Sequence, residues 1–404
     1  PYLDRQLTYR AILTSLCGAS PIMTSQTSTG LVRSLQERVS SSWASGGLRP
    51  ISPGLDSGAM DAPLLKRSNR SDSTIDQVAK LAGVSRATVS RVMNGSAHVS
   101  PERAKAVQRA IKELNFTPNT TARRLAGGRS GLIALLIEES SEEFFTNSFW
   151  GEVVRGFSET IREAGMHPLM LIQPKSGTEE SLFATLQAGQ MDGLAIFGWH
   201  KPVKVLEKLL DPKMAVVFGG DFGGSKKYPC VDVDNVRGGY LATQHLIESG
   251  CKNILVITGD LTLQSARDRL SGYEKAISEA GLKIDEKLIV HGDYTQIKAE
   301  SIIRQVLKSK KKFDGVFAAN DLSAVGAIQM LSQQGISVPE QVKVVGFDDS
   351  PVATNGNLPL TSIRQPIKEL GIEVALSLLE ILNGGQVGDK LLSVKLIKRK
   401  STAT

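Results

Sequence analysis

Residues 74–94 read TIDQVAKLAGVSRATVSRVMN, and the architecture of the chain follows outward from them. Thr74 suits a helix N-cap, and Asp76 puts a carboxylate in the first turn, where the helix dipole favours it. Ile75, Val78, Ala79 and Ala82 recur at helical spacing. Gly83 interrupts that helix, Val84 lies in the turn, and Ser85 caps a second helix with Val89, Val92 and Met93 on its apolar face. Arg86, Ala87, Ser90, Arg91 and Asn94 are left facing outward. A third helix starts at Ser100-Pro101, with proline at the first helical position, and its stripe is Ala104, Val107, Ile111 and Leu114. Two short helices joined by a tight turn place the second where it can enter a DNA major groove, which admits one helix. There Arg86 and Arg91 can pair bidentately with guanine, and Ala87 can meet a thymine methyl group. Ser85, Thr88 and Asn94 suit phosphate contacts, aided by the helix N-terminus.

The charge agrees with that reading. The 404 residues carry a net charge of +7, and its distribution is uneven. Residues 73–130 hold ten Lys/Arg against three acids, whereas residues 131–404 hold 30 against 33. A small basic module on a nearly neutral body is expected to bind a polyanion through its head. Residues 1–72 contain thirteen serines and no sustained apolar period, so they read as a disordered extension. The chain begins with Pro1 rather than Met, and Met60 offers a start just upstream of the first helix. Arg10–Ser20 has one basic residue and a short apolar run; it is set aside as an export signal because a DNA reader belongs in the cytosol.

From residue 131 onward, apolar runs alternate with amphipathic stretches. The runs are Leu132–Ile137, Pro168–Ile172, Gly193–Phe197, Ala215–Phe218, Asn253–Ile257, Leu288–Val290, Gly315–Ala318 and Val342–Phe347. Helical stretches Gly151–Ala164, Glu179–Ala188, Gly238–Ser249, Ala266–Ala280, Ala299–Lys308 and Ser323–Gln334 lie between them. This order predicts two doubly wound parallel sheets, with ligands at the carboxyl ends of the strands. Residues 119–130 form a linker in which Asn119–Leu125 could make a helix too short to hold alone in water.

The run VAKLAGVSRATVSRVMNG carries a strong resemblance to the lactose/galactose repressor family, and the resemblance extends over residues 74–404. It implies an all-α helix-turn-helix head on an α/β, two-lobed body of the periplasmic-binding-protein type. It implies base reading by Arg86, Ala87 and Arg91, with His98 at a position that touches DNA in some members. Asn119, Ala122, Arg123 and Leu125 match the family's hinge motif, in which the apolar residue wedges into the minor groove. For the body it implies an effector cleft with Phe149, Trp150 and Tyr294 as aromatic walls, and Arg269 and Asp321 as polar contacts; Asp348 reads as structural. The expected division is a head at 73–118, a hinge at 119–130 and a body at 131–404. Lobe one would take about 131–230 and 340–367, and lobe two about 231–339 and 368–404, with crossings near 231, 339 and 367. The implied partners are double-stranded DNA carrying a pseudo-palindromic operator, a small-molecule effector of sugar type, and a second copy of the chain. No leucine heptad follows the last expected strand, Leu391–Arg399, so a homodimer is expected rather than a tetramer.

Other classes fit poorly. No run approaches 18 apolar residues, so no membrane partner is expected. Cys17, Cys230 and Cys251 have no zinc or redox spacing, and the five histidines are scattered, so no metal or other cofactor is expected. GxSxG, HExxH and GxGxxG are absent, and Gly219–Lys226 only approximates a phosphate loop. The chain is therefore read as a cytoplasmic, nucleoid-associated repressor of a carbohydrate operon rather than an enzyme. A purine- or nucleoside-responsive repressor and a sugar receptor of periplasmic type remain as alternatives.

Overall fold

The computed structural model describes residues 74–93, 99–116, 129–188, 191–210, 214–221 and 227–403. The extension 1–72, the DNA-contact candidates Asn94 and His98, and the hinge candidates Asn119, Ala122, Arg123 and Leu125 lie outside the described residues.

Three helices make the head: α1 (Ile75–Ala82), α2 (Arg86–Met93) and α3 (Pro101–Glu113). The Thr74 hydroxyl accepts from Gln77 N–H, and the Gln77 side chain accepts from Thr74 N–H, closing a capping box. Gly83 ends α1 at φ +65°, a left-handed conformation that glycine adopts without a Cβ penalty. Val78, Ala79, Val89, Val107 and Ala110 are buried together, with Ile111, Leu114 and Phe116 packed around them. Ala104, expected on the stripe of α3, is half-buried, whereas Ala110 is buried; Phe116 N–H bonds to Ile111 O as the chain leaves α3.

The body has two six-stranded sheets. The first has strand order β11-β5-β4-β3-β1-β2 and is parallel throughout. Its strands are β1 (Leu132–Glu138), β2 (His167–Gln173), β3 (Gly193–Phe197), β4 (Ala215–Gly219), β5 (Cys230–Val233) and β11 (Lys390–Leu392). The second has order β12-β10-β9-β8-β6-β7, with β12 antiparallel at its edge. It comprises β6 (Ile254–Thr258), β7 (Ile289–His291), β8 (Gly315–Ala318), β9 (Lys343–Asp348), β10 (Thr361–Arg364) and β12 (Lys395–Ile397). Central strands β3, β4 and β6 are buried along their whole length, as expected of a sheet covered on both faces.

Connectivity corrects the expected lobes. β9 pairs with β8, Gly315 opposite Lys343, and β10 pairs with β9. Residues 343–364 therefore belong to lobe two, not lobe one. The helix between Ile367 and Leu382 packs on the first sheet, where Leu370, Val374 and Leu378 join the core of Ile133, Val153 and Phe157. Residues 367–392 thus belong to lobe one. The crossings fall near 234, 365 and 393; 339 is not one, because the helix Asp321–Gln333 simply links two parallel neighbours of one sheet. The strand expected at Leu391–Arg399 is split: β11 completes the first sheet, and β12 edges the second.

Helices α4 (Ser141–Thr146) and α5 (Ser148–Glu163) follow β1, α6 (Glu179–Ala188) follows β2, and α7 (Val203–Leu209) follows β3. In lobe two, α8 (Asn235–Glu248) and α9 (Gln264–Glu279) pack closely. Gly239 makes the approach possible, since a Cβ there would sit 2.1 Å from the backbone oxygen of Arg269. Gly239→Ala should destabilise the body by roughly 1–3 kcal/mol through overpacking. A lowered midpoint in chemical denaturation would register it, and an unchanged midpoint would contradict this packing.

Candidate functional site

In the head, Ser85, Arg86, Ala87 and Arg91 are exposed, and Thr88 and Ser90 are half-buried. Ser85 Oγ accepts from Thr88 N–H at 3.2 Å and lies 2.9 Å from the Thr88 hydroxyl, so Ser85 caps α2. Ala87 and Arg91 are one turn apart and share a face. Arg86 lies 3.9 Å from Asp76, with both side chains largely in solvent; such a pair is weak and leaves the guanidinium free to turn toward a base.

Between the lobes lies a cavity of about 930 Å³, its open mouth included. Phe149, Trp150, Arg269 and Tyr294 are among the residues that line it. The acidic segment before them is the helix α4, which brings Phe144 against Trp150 (centroids 6.5 Å apart). Asn147 then caps α5 by accepting from Phe149 N–H at 3.0 Å, which fixes the turn into the helix. Trp150 also meets Phe149 and Phe197 edge to face.

Arg269 is held from several sides. Its Nε–H donates to Asn235 Oδ1 at 2.9 Å, Nη1 donates to Ala319 O, and the guanidinium lies 3.6 Å from the Phe347 ring centroid. Asn235 in turn donates to Asp232, whose carboxyl is pushed up to about 6 by burial against hydrogen bonds from Asp221 and Val233 N–H.

Asp321 does not join this group. It is fully buried as the first residue of the helix Asp321–Gln333 and accepts from Ser350 N–H (2.7 Å), Ser350 Oγ (2.9 Å) and Ser362 Oγ (2.6 Å). These bonds tie the loop after β9 to β10, and the carboxylate has no place on the cavity wall. Asp348, read from sequence as structural, stands on that wall with Asn320 and Gln365. Gln365 donates to it, and burial pushes its carboxyl up to about 8 against the pull of Arg269.

A carboxyl whose folded pKa is raised makes the folded state bind the extra proton, so stability falls as pH rises through the window from 3.8 to about 8. Asp348→Asn keeps the acceptor for Gln365 and removes that penalty. It should raise the Tm at pH 8.5 and leave it nearly unchanged at pH 4. A gain at pH 4 equal to that at pH 8.5 would show that the carboxyl is not the cause.

The cavity also draws in residues that the sequence left unmarked: Glu139, Trp199, His200, Asp221, Asp232 and Asn235. Several lie beyond the carboxyl end of a strand, the signal that could have found them. Contacts bridge the lobes at its rim. Lys175 lies 3.4 Å from Glu139 of its own lobe and 3.7 Å from Asp260 of the other, and His200 Nδ1 lies 2.7 Å from the Thr262 hydroxyl.

A helix-turn-helix with outward arginines, in one chain with a two-lobed body whose interlobe cavity is lined by aromatic and polar side chains, defines a DNA-binding regulator of the effector-responsive class. Residues 74–119 match the lacI family of bacterial regulatory proteins, and residues 243–402 match the periplasmic binding protein-like domain. The HTH-type transcriptional regulator CelR of Thermobifida fusca is 38% identical over 314 residues, covering 77% of this chain and 92% of that protein. The CelR–cellobiose complex superposes with a TM-score of 0.65 at 36% identity, covering 81% of this chain and 99% of that one. The lac repressor dimer bound to operator and the anti-inducer ONPF gives 0.69 at 28% identity, over 82% and 99%. The chain belongs to the lacI family of bacterial regulatory proteins and is a sequence-specific transcriptional regulator. Among the described residues, no helix is long and apolar enough to cross a membrane.

Proposed function

We propose that the chain represses a carbohydrate-utilisation operon and that a saccharide bound between the lobes changes its hold on the operator. The observation that carries this is the cavity itself: aromatic rings wall it, amides and carboxyls edge it, and its arginine is already engaged by Asn235, Ala319 and Phe347. Ring faces stack on sugar faces, and a few fixed polar groups orient hydroxyls. The CelR structure contains cellobiose in a chain of related sequence, which supports the same ligand class here.

The assigned roles are base reading by Arg86, Ala87 and Arg91, effector stacking by Phe149, Trp150 and Tyr294, and effector orientation by Arg269. Two copies would read a pseudo-palindromic operator, since two-fold symmetry in the protein is matched by two-fold symmetry in the DNA. The lobes touch at the Lys175–Asp260 and His200–Thr262 contacts. A ligand favouring one lobe arrangement shifts the population toward it, and the linkage transmits that preference to the head. The site of action is the cytoplasm, and no catalytic step is assigned. A receptor without a DNA head leaves residues 74–119 without a purpose.

The test is operator binding by fluorescence anisotropy, with genomic fragments selected at low salt, repeated with added saccharides. Specific binding that shifts at least tenfold on addition of one saccharide is expected. Absence of binding to every fragment would overturn the repressor reading, and saccharide-insensitive binding would overturn the effector reading.

A further inference from the structure

The loop after β3, Gly198-Trp199-His200-Lys201, holds two buried nitrogens with no hydrogen-bond partner among the described residues: Trp199 Nε1 and His200 Nε2. Both residues line the interlobe cavity. Trp199 is 5% exposed and the His200 side chain 10%. Buried polar atoms are nearly always paired, so two consecutive exceptions on a cavity wall call for a physical reason.

Proton accounting assigns their roles. The Thr262 hydroxyl lies 2.7 Å from Asp260 Oδ1. Burial pushes Asp260 up, but its hydrogen bonds from Thr262 outweigh that and leave the carboxyl below its ordinary value, hence ionised and able only to accept. The single hydroxyl proton of Thr262 is therefore committed to Asp260. The same oxygen lies 2.7 Å from His200 Nδ1, so the ring must donate through Nδ1–H. Burial, reinforced by Lys175, pushes the imidazole down to about 4. The ring carries one proton, and Nε2 is a bare acceptor. Trp199 Nε1–H can only donate.

The pair is rigidly mounted. Glu138, at the end of β1, is fully buried; it accepts from His200 N–H at 2.9 Å and pairs with the Lys201 ammonium. That ammonium lies 5.3 Å from the Trp199 ring centroid. A donor and an acceptor on consecutive wall residues together match what a hydroxyl offers, since it both accepts and donates. An ionised phosphate or carboxylate can satisfy Trp199 but not His200, and an ammonium can satisfy His200 but not Trp199. The other ionisable groups on the wall are mostly carboxyls, Glu139, Asp221, Asp232 and Asp348, and burial pushes Glu139 up to about 7 and Asp348 up to about 8; they supply no cation to an anionic ligand, and Arg269 already gives two of its N–H groups to Asn235 and Ala319.

We propose that Trp199 and His200 form a hydroxyl-reading subsite that makes the cavity selective for an uncharged saccharide. The proposal rests on the saccharide-effector reading above and adds the residues and the charge class. Because His200 also bonds Thr262 of the other lobe, a sugar hydroxyl held here sits at the lobe junction.

The experiment is calorimetric titration of the full chain with cellobiose, ribose and further neutral mono- and disaccharides, with glucose 6-phosphate as the charged arm. A neutral saccharide should bind and glucose 6-phosphate should not. Trp199→Phe and His200→Phe should each weaken that saccharide by about tenfold, the effect of leaving a neutral hydrogen-bonding group unpaired. Monodeoxy analogues of the bound sugar supply a readout independent of folding. One of them should lose about the same factor on the wild-type chain and nothing further on Trp199→Phe. The subsite alone is overturned if a neutral sugar binds but both variants, or every deoxy analogue, stay within twofold of the parent. Tighter binding of glucose 6-phosphate overturns the charge class. If the chain binds operator DNA and no saccharide at all, the effector reading fails and this inference fails with it.

Discussion

Arg91→Ala is expected to abolish discrimination at one base pair of each operator half-site while leaving the head folded. Arg91 is exposed on α2 and belongs to no part of the head core, which is built from Val78, Ala79, Val89, Val107 and Ala110. Its loss therefore creates no cavity. A guanidinium paired with guanine O6 and N7 contributes roughly 1–3 kcal/mol of discrimination, so the preferred half-site should weaken by that amount while mismatched sites change little. Two copies on one operator would double the loss. A phosphate-contacting lysine or arginine behaves differently: its removal weakens all sequences alike and lowers the salt dependence by about one unit. Competition binding against a library of half-site variants separates the two cases. Equal weakening across the library would place Arg91 on the DNA backbone and pass base reading to Arg86 and Ala87.

The head could be read from sequence because its signals are local. A capped first turn, a glycine in a left-handed conformation and a 3.6-residue apolar period all lie within about twenty residues and point the same way. The body was legible where strands and helices alternate, and less so where burial hides the period. The helix Ile367–Leu382, IKELGIEVALSLLEIL, carries apolar residues almost all round, so no single stripe marks it. Strands β5, β10, β11 and β12 are three or four residues long, too short for an alternation to register. The lobe assignment depended on which strands pair, and pairing between residues far apart in the chain leaves no periodic trace. Sequence order suggested that the chain returned to lobe one at 340, but β9 instead added beside β8.

The same limit applies to the site. Asp321 follows a strand end, where ligand contacts gather, yet the hydroxyls of Ser350 and Ser362 claim its carboxylate. Those serines are visible in the sequence; their convergence on Asp321 is not. Trp199 and His200 follow a strand end too, and there the same rule would have marked them as residues of the cavity wall.

Arg269→Lys is expected to uncouple the effector from the operator. The arginine side chain spans the site: Nε–H reaches Asn235, Nη1 reaches Ala319 O, and its face covers the Phe347 ring. A lysine keeps the positive charge, and thus the balance against Asp232 and Asp348, but its ammonium is a single point and cannot hold both partners while lying flat on the ring. The guanidinium carbon lies 5.9 Å from the Tyr294 ring centroid, and the N–H groups not given to Asn235 and Ala319 are the ones proposed to receive a ligand hydroxyl. Hydrogen bonds to a charged group are worth about 1.5–3 kcal/mol, so saccharide affinity should fall by roughly 10- to 150-fold. Operator binding without saccharide should persist, because the head and its arginines are untouched. Asp321→Ala provides the contrast: it should lower the thermal midpoint by stranding Ser350 and Ser362, with saccharide affinity changed far less than by Arg269→Lys. Measured together by calorimetry and operator anisotropy, the two variants separate a residue that meets the ligand from one that braces the wall. Unchanged saccharide affinity in Arg269→Lys, or loss of its operator binding, would remove Arg269 from the effector site.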